Sequence, residues 1–417
     1  MTPAQITPDM TLFDVTERYP ETIPVLVDQG FSHVADPARR ASHGRMVTLS
    51  QAAQMRGKDL DALLATLGGA VAAARRSADL TLQTADDGRI FPSTGDIRVA
   101  GLVPCPVRLP LLEAFDAARL EVERKHGVTV GHRLAAASIG MDAVQKEMAA
   151  LRDEADLPHV FVSAGFEAFF DRRNLARFKD RGVFVDRSPR GVNAGFAGLD
   201  LKDPDGHYAM IAVVAAVFLV DKAQLAEGEE IPRTWADVLS PRLERRVALP
   251  VGDFDLFNGI LLTTWKRHGD EGVRALARSL LRSQHPSQAA GRFKAGRGEA
   301  PLVSVIPYFF SRMARLNPGV EVVWPEDGAV ISPIFLLERR DAPPAARELA
   351  DFFCSRATGE ILSHRGLFPS LLPEVTNELP AGATWQWLGW DTIREHDLGE
   401  LIPRLAGVFG DATGGEG

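Results

Sequence analysis

The first 68 residues combine polar helix caps with apolar positions that recur every three or four residues. Thr11 with Asp14, and Thr48 with Gln51, have the spacing of a capping box, in which each side chain bonds the backbone of the other. A later stripe with the i, i+3, i+4, i+7 spacing of a helix face consists of Leu60, Leu63, Leu64 and Leu67. This pattern predicts a small helical domain over residues 1–68.

Residues 69–95 lose this periodicity and contain turn clusters such as Asp86-Asp87-Gly88, which predicts a linker. After the linker, short apolar runs alternate with amphipathic stretches. The runs that predict strands are Ile97 to Val103, Val128 to Leu134, Val160 to Val162, Ile211 to Val220, Val247 to Leu249, Leu302 to Ile306, Val320 to Trp324 and Val330 to Leu337. Such alternation indicates an α/β domain over residues 96–417, with a mainly parallel sheet and helices on its faces.

The composition is that of a folded soluble chain, with 45% hydrophobic and 24% charged residues among 417. This excludes disordered, fibrous and membrane-spanning proteins. The 47 Lys and Arg against 55 Asp and Glu give a net charge of −8, which disfavours a nucleic-acid partner. Cys105 and Cys354 are the only two cysteines, too few for a disulfide framework or a cysteine-rich metal site.

No targeting segment is visible in the sequence as given. Its start has no basic and apolar run of the secretory kind. The longest apolar run, Tyr208 to Val220, is well short of the ~20 residues that span a bilayer, so we expect no membrane insertion. We therefore expect a cytoplasmic protein, or a periplasmic one if its true start lies upstream.

The common enzyme motifs are absent. The sequence has no glycine-rich dinucleotide fingerprint, no phosphate loop, no His-Glu-x-x-His and no nucleophile elbow. Its ten histidines lack metal-ligand spacing. We therefore expect a protein without a cofactor or a bound metal, and not an enzyme.

Loops that follow the predicted strands carry the candidate chemistry, because ligands of open α/β sheets bind outside the carboxyl ends of strands. Arg108 would supply positive charge for an anion, with hydrogen bonds from Ser163 and Asn258. Asp253 and Asp255 would instead anchor a cation. The full set of candidate ligand contacts is Cys105, Arg108, Ser163, Gly165, Asp253, Asp255, Asn258 and Tyr308.

Residues from about Asp96 to Ala412 resemble the two-lobed type 2 periplasmic solute-binding proteins of ABC transporters, in the branch handling ferric iron, thiamine and polyamines. The stretches that carry the resemblance are Asp203-Pro204-Asp205-Gly206-His207-Tyr208, Ile231-Pro232-Arg233-Thr234-Trp235-Ala236-Asp237-Val238-Leu239, Val247-Ala248-Leu249-Pro250, Gly328-Ala329-Val330-Ile331-Ser332-Pro333-Ile334, Ala345-Ala346-Arg347-Glu348-Leu349-Ala350-Asp351-Phe352-Phe353, Thr358-Gly359-Glu360-Ile361-Leu362 and Gly366-Leu367-Phe368-Pro369.

The resemblance implies a hinged clamp for a small molecule or ion, with an ABC permease as a possible partner. Lobe 1 would comprise residues of about 96–210 and 335–412, and lobe 2 residues of about 211–334, with hinge strands near 212–217 and 330–334. Iron-binding members use two adjacent tyrosines at the segment matching Tyr308-Phe309-Phe310. Since phenylalanine cannot ligate a metal, iron bound by that route is not expected here.

Residues 1–68 resemble a small helical domain of unknown function that often carries Cys-x-x-Cys. The matching positions in this chain are His33 and Asp36, which puts thiol chemistry in doubt. The domain is a candidate docking surface for a cytoplasmic protein partner.

Two alternatives remain open at this point. The first is a cytoplasmic ligand sensor or regulatory module that uses the same clamp. The second is an enzyme with Cys105 as nucleophile, since a thiol near a helix start has a lowered pKa. His132 and His159 are the candidate general bases for that enzyme.

Overall fold

The computed structural model describes residues 6–18, 22–31, 34, 39–40, 43–68, 90–136, 147–251, 254–283, 300–314 and 319–413. The chain divides into two compact units, Met1–Asp86 and Asp87–Gly417. This division falls within the predicted linker, most of which lies outside the described residues, so the domain boundaries remain predictions. Among the helices of the described ranges, none has the length and apolar character needed to cross a membrane.

The first unit is helical, as predicted. Its described helices include Leu12–Arg18 (α1), Thr22–Asp28 (α2), Leu49–Met55 (α3) and residues 60–68 (α4). Both capping boxes are present: the Thr11 hydroxyl donates to the Asp14 carboxylate at 2.7 Å, and the Gln51 backbone N–H donates to the Thr48 hydroxyl at 3.2 Å. The core of this unit includes Leu12, Val15, Leu26, Phe31, Leu49, Leu63 and Leu67.

The second unit is built on one sheet. Its strands are Ile97–Val103 (β1), Val130–Ala136 (β2), Val160–Ala164 (β3), Ala209–Asp221 (β4), Val247–Leu249 (β5), Leu280–Ser283 (β6), Val303–Pro307 (β7), Val320–Val323 (β8), Ala329–Glu338 (β9) and Trp385–Gln386 (β10). Every apolar run predicted as a strand is one, within two residues at each end. The sequence did not predict β6, whose side chains are half-buried or exposed, or β10, which is too short to show a period.

The helices of this unit pack around the sheet. They include Arg108–His126 (α5), Glu167–Phe170 (α6), Ala176–Lys179 (α7), Trp235–Val238 (α8), Phe254–Ser279 (α9), Ser311–Ala314 (α10), Pro344–Phe353 (α11), Arg356–Glu360 (α12), Trp390–Glu395 (α13) and Leu398–Ala412 (α14). Gly127, with a φ of 65°, ends α5. Gly269 leaves helical geometry, with φ 61° and ψ −163°, and breaks α9 into two parts.

The sheet is mixed, and only partly parallel. Its strand order is β2-β1-β3-β9-β4-β7-β5-β6, with β10 paired to β9 and β8 to β4. Pairing is parallel within β1, β2 and β3 (the first half-sheet) and within β5, β6 and β7 (the second half-sheet). The two longest strands, β4 and β9, run antiparallel to each other and to their neighbours β3 and β7, and they connect the two half-sheets.

The C-terminal helix α14 packs along α9. The rings of Phe409 and Phe257 lie 5.1 Å apart edge to face, and Arg404 forms an ion pair with Asp270 at 2.9 Å. The predicted lobe 1 included α14, whereas α9 belongs to the predicted lobe 2. An apolar stripe predicts that one face of a helix is buried, but it does not identify the element against which that face packs.

Candidate functional site

The carboxyl edges of the two half-sheets face each other along β4 and β9. Strand β3 ends at Ala164, which is level with Ala212 of β4 because both pair with Ile334. Strand β7 runs the opposite way and ends at Pro307, beside Ala216. The two edges are therefore four residues of β4 apart, or about 13 Å at 3.3 Å per residue. We call this gap the cleft.

The two halves of the second unit, each built on one half-sheet, are in contact at the β3 side of the cleft. The cleft floor consists of Val213, Val214, Ala215, Ile331, Ser332 and Pro333. Gly165 donates its backbone N–H to the Pro333 carbonyl at 2.9 Å, and Ser332 donates its hydroxyl to the Asp255 carbonyl at 2.8 Å. Gly165 has a φ of 89°, and a Cβ there would lie 2.5 Å from Oδ1 of Asp255. Only glycine fits this conformation and this close approach without strain.

The structure thus brings together Gly165 and Asp255, which the sequence predicted from separate loops. The backbone N–H of Gly165 is already used within the fold. Ser163 lies two residues before Gly165 in β3 and is fully buried, and its hydroxyl donates to the Ala164 carbonyl at 3.2 Å. A ligand that used Ser163 would have to compete with this internal hydrogen bond.

Beyond β1, the chain forms a short 3₁₀ helix, Cys105–Val107, and then begins α5 at Arg108. Arg108 is only 5% exposed, and its Nε lies 3.5 Å from the Leu134 carbonyl oxygen. A buried guanidinium is a strong anion partner because little water screens its charge. Val107 packs against Gly366, where a Cβ would lie 2.4 Å from Cγ1 of Val107. The side chain of Cys105 is outside the described part of the structure.

Tyr308 directly follows β7 at the other edge of the cleft and is 4% exposed. Its ring meets the Trp324 ring edge to face at 5.2 Å and belongs to the same apolar cluster as Leu367. Leu367 is itself buried with a φ of 47°, an unusual backbone conformation for leucine. The Tyr308 ring therefore packs into the core of the half that contains the second half-sheet, although Tyr308 directly follows a strand that ends at the cleft.

The remaining candidates do not meet at the Gly165–Asp255 contact. Asp253 lies outside the described residues. Asn258 is three residues after Asp255 on α9, so the two side chains project about 60° apart around the helix. It lines a different cavity of about 590 Å³, between α9, β6 and α14.

Neither candidate general base lies near Cys105. His132 is on β2 and pairs with a β1 residue six positions before Cys105, which is about 20 Å along the strand. His159 precedes β3 and accepts the Arg98 backbone N–H on Nδ1 at 3.0 Å. Burial, with Arg339 and Arg98 nearby, lowers the pKa of His159 to about 4, so this ring is neutral at pH 7. Neither of these two histidines is therefore placed to act as a base for Cys105.

Cys354, His33 and Asp36 are the other thiol and possible metal-ligand positions in the sequence. Burial raises the pKa of Cys354 to about 12, so this side chain stays a neutral thiol. His33 and Asp36 lie outside the described residues. Within the described ranges, no group of three or more His, Cys, Asp or Glu side chains is arranged to hold a metal ion.

Two buried serines near the cleft were missed from the sequence. Ser311 begins α10, three residues after Tyr308, and Ser363 lies in the π-helical segment Ile361–Arg365 that follows α12; neither is more than 1% exposed. Each hydroxyl lacks a hydrogen-bond partner in the described structure. Arg312 donates to the Arg365 carbonyl at 3.2 Å and ties the two segments together. Unsatisfied buried hydroxyls are rare and suit a polar ligand, but isolated serines carry no sequence signal.

The mixed sheet, the two connecting strands and the facing strand ends define a two-lobed α/β binding protein. Residues 155–396, more than half of the chain, match the model of the bacterial extracellular solute-binding protein family. The chain therefore belongs to this family. Residues 6–64 match a domain of unknown function, DUF1858. No curated protein matches the sequence.

Solved structures similar in fold include periplasmic and ferric binding proteins. Apo FutA2 from Synechocystis PCC6803 is 13% identical, with 76% of this chain and 99% of that chain covered and a TM-score of 0.52. AfuA from Actinobacillus pleuropneumoniae, with fructose-6-phosphate bound, is 16% identical, with coverages of 76% and 98% and a TM-score of 0.51. The Bordetella ferric binding protein is 12% identical, with coverages of 76% and 100% and a TM-score of 0.51. At these identities the likeness is one of fold.

Proposed function

We propose that the second unit is a clamp that binds a small polar or anionic solute in the cleft. The geometry of the strand ends supports this most directly, since two carboxyl edges face each other across residues 212–216 of β4. Strands β4 and β9 run through both halves. Bending within these strands would change the width of the cleft, as in other hinged binding proteins.

The described side chains around the cleft favour an anionic or hydroxyl-rich ligand. The buried guanidinium of Arg108 offers charge, and the hydroxyls of Ser311 and Ser363 offer hydrogen bonds that nothing else in the described structure uses. Both hydroxyls are enclosed in the present conformation, so the proposal requires the cleft to open before the ligand enters. A cation would instead be held by Asp255, with Asp253 beside it in the sequence.

The solved relatives suggest which solutes to test first. AfuA was solved with fructose-6-phosphate, and several others are ferric binding proteins. We favour an anionic solute over ferric iron, because Tyr308 is followed by Phe309 and Phe310, which offer no metal ligand.

Thermal unfolding with a ligand panel tests the clamp. The panel contains fructose-6-phosphate, inorganic phosphate, ferric citrate, spermidine and thiamine. A ligand that binds only the folded state at 100 times its Kd stabilises by about 2.7 kcal/mol and raises the Tm. For an anionic ligand, we expect Arg108→Gln to remove most of the Tm shift. The control Arg404→Gln, an exposed arginine on α14 far along the chain from the cleft loops, should keep it. Absence of any shift, or a shift that survives both Arg108→Gln and Asp255→Asn, would contradict the proposed site.

Delivery of the solute to an ABC permease is the role we propose for the clamp. The matched family and the solved relatives are extracellular or periplasmic binding proteins, and they lend no support to a cytoplasmic sensor. Recovery of the native protein in the periplasmic fraction of its cell is the expected result. Recovery in the cytoplasm would favour sensing, with the N-terminal unit as the contact for a protein partner.

An enzyme with Cys105 as nucleophile has less support. The two histidines considered as bases lie about 20 Å away along β1 and β2 or at the opposite end of β3. Selective labelling of Cys105 by a thiol probe at neutral pH would revive this alternative.

A further inference from the structure

A second cavity lies beside α9, and its lining includes neither Gly165 nor Asp255. It measures about 590 Å³ and is bounded by α9, β6 and α14. This volume falls within the range of roughly 300–1,000 Å³ typical of small-molecule sites. The wall is mostly apolar and includes Phe257, Leu261, Leu280, Leu281, Ile402 and Phe409.

One polar side chain in this wall lacks a partner. Asn258 is 4% exposed, lines the cavity, and makes no side-chain hydrogen bond within the described structure. Ser283, at the carboxyl end of β6, also lines the cavity and is level with the end of the neighbouring strand β5. An amide that lines a cavity without a partner from the described residues is available to a ligand or to water.

The cavity is bordered by positive charge that is only partly compensated. Arg278 pairs with Glu271 at 2.8 Å and with Glu244, the carboxylate in the cavity lining, at 3.6 Å. Arg245 and Arg282 have no carboxylate partner among the described residues. Arg245 also has a φ of 55°, a strained conformation of the kind found near functional sites. Uncompensated arginines next to an apolar wall are complementary to an anion that carries an apolar chain.

We infer that this cavity binds an anionic amphiphile, specifically a linear-chain carboxylate of the fatty-acid type. The alkyl chain would pack between α9 and α14, and the carboxylate would meet Arg282 and the amide of Asn258. The lining runs along α14 from Ile402 to Ala412, about 15 Å at 1.5 Å per residue, which suits an extended chain. This inference does not rest on the proposed solute clamp.

Isothermal titration of the full chain with octanoate, decanoate and dodecanoate tests the inference. Each added CH₂ should tighten binding about threefold to fourfold, because it buries further apolar surface. Decan-1-ol, which has the chain of decanoate but no charge, should bind at least about tenfold more weakly. Equal affinities for octanoate and dodecanoate, or no saturable binding, would overturn the inference.

Three variants locate the binding to this cavity. Ala406→Trp, on α14, fills the cavity and should abolish dodecanoate binding, whereas Asp411→Trp, an exposed position of the same helix outside the lining, should leave it unchanged. Arg282→Gln changes an exposed side chain and should weaken dodecanoate binding about tenfold. Circular dichroism confirms that each variant is folded. Full binding by both Ala406→Trp and Arg282→Gln would refute the assignment.

Discussion

Replacing Gly165 by alanine tests the contact between the two halves of the second unit. The substitution has two costs. Alanine at a φ of 89° is disfavoured by about 1–2 kcal/mol. The new Cβ would also lie 2.5 Å from Oδ1 and 3.2 Å from Cγ of Asp255. Since the carboxylate can partly rotate away, we expect this second cost to be near the lower end of the range for overpacking, about 1 kcal/mol.

Gly198 provides a matched control. It has a φ of 84°, and a Cβ there would meet nothing within 4 Å. Gly198→Ala therefore shares the backbone cost but not the contact. In urea denaturation we expect Gly198→Ala to lose about 1–2 kcal/mol of unfolding free energy, and Gly165→Ala about 1 kcal/mol more. If opening of the cleft relieves the contact in Gly165→Ala, a cost of about 1 kcal/mol lowers the ratio of closed to open molecules about fivefold. The radius of gyration measured by X-ray scattering should then increase.

The double variant Gly165→Ala, Asp255→Ala isolates the contact. Removing the carboxylate leaves room for the new Cβ, so the extra loss should largely disappear, with a coupling of about 1 kcal/mol between the two positions. Equal losses for Gly165→Ala and Gly198→Ala would show that the two halves do not touch at this point. An extra loss that persists without Asp255 would show that another group causes it.

Two further predictions concern the stability of the second unit. His159 has a folded pKa of about 4, against about 6.5 when unfolded, so the unfolded chain takes up the proton first as pH falls. After allowance for partial exposure, about 1–2 kcal/mol of the unfolding free energy present at neutral pH should be lost between about pH 6.5 and 4. If the unfolding free energy of His159→Gln falls as steeply over this pH range as that of the parent protein, the prediction is wrong. Asp203, 6% exposed, accepts the backbone N–H groups of Asp205, His207 and Tyr208 at 2.8–3.0 Å. Asp203→Ala should therefore cost about 2–4 kcal/mol in urea denaturation, and a cost below about 1 kcal/mol would argue against these bonds.

The elements of the fold were accessible from the sequence because their signals are local. The capping boxes at Thr11 and Thr48 depend on residues three positions apart, and the apolar runs of β4 and β9 are long enough to identify buried strands without knowledge of their partners. The family resemblance rests on such local stretches too. The missed strands β6 and β10 have no comparable signal, since one is half-exposed and the other is formed by two residues.

The candidate site could be predicted only in part from the sequence, because it depends on contacts between distant segments. Asp255 and Asn258 lie within one helical turn of each other, yet Asp255 contacts Gly165 and Asn258 lines the cavity beside α14. Which residue reaches the cleft depends on how α9 is rotated against the sheet, and this rotation is set by contacts with β9 and α14. The buried hydroxyls of Ser311 and Ser363 show the same limit, because burial without a partner arises only after packing.

Residue order thus specified a helical N-terminal unit, an α/β second unit and the strand-end loops where a ligand would bind. Tertiary structure decided how those loops meet. Pairing of β3 with β9, and of β7 with β4, aligns residues more than 80 positions apart in the chain. This pairing sets the width of the cleft to four residues of β4. Such register is a property of two distant strands together, determined by the packing of both faces of the sheet, and no single segment carries it.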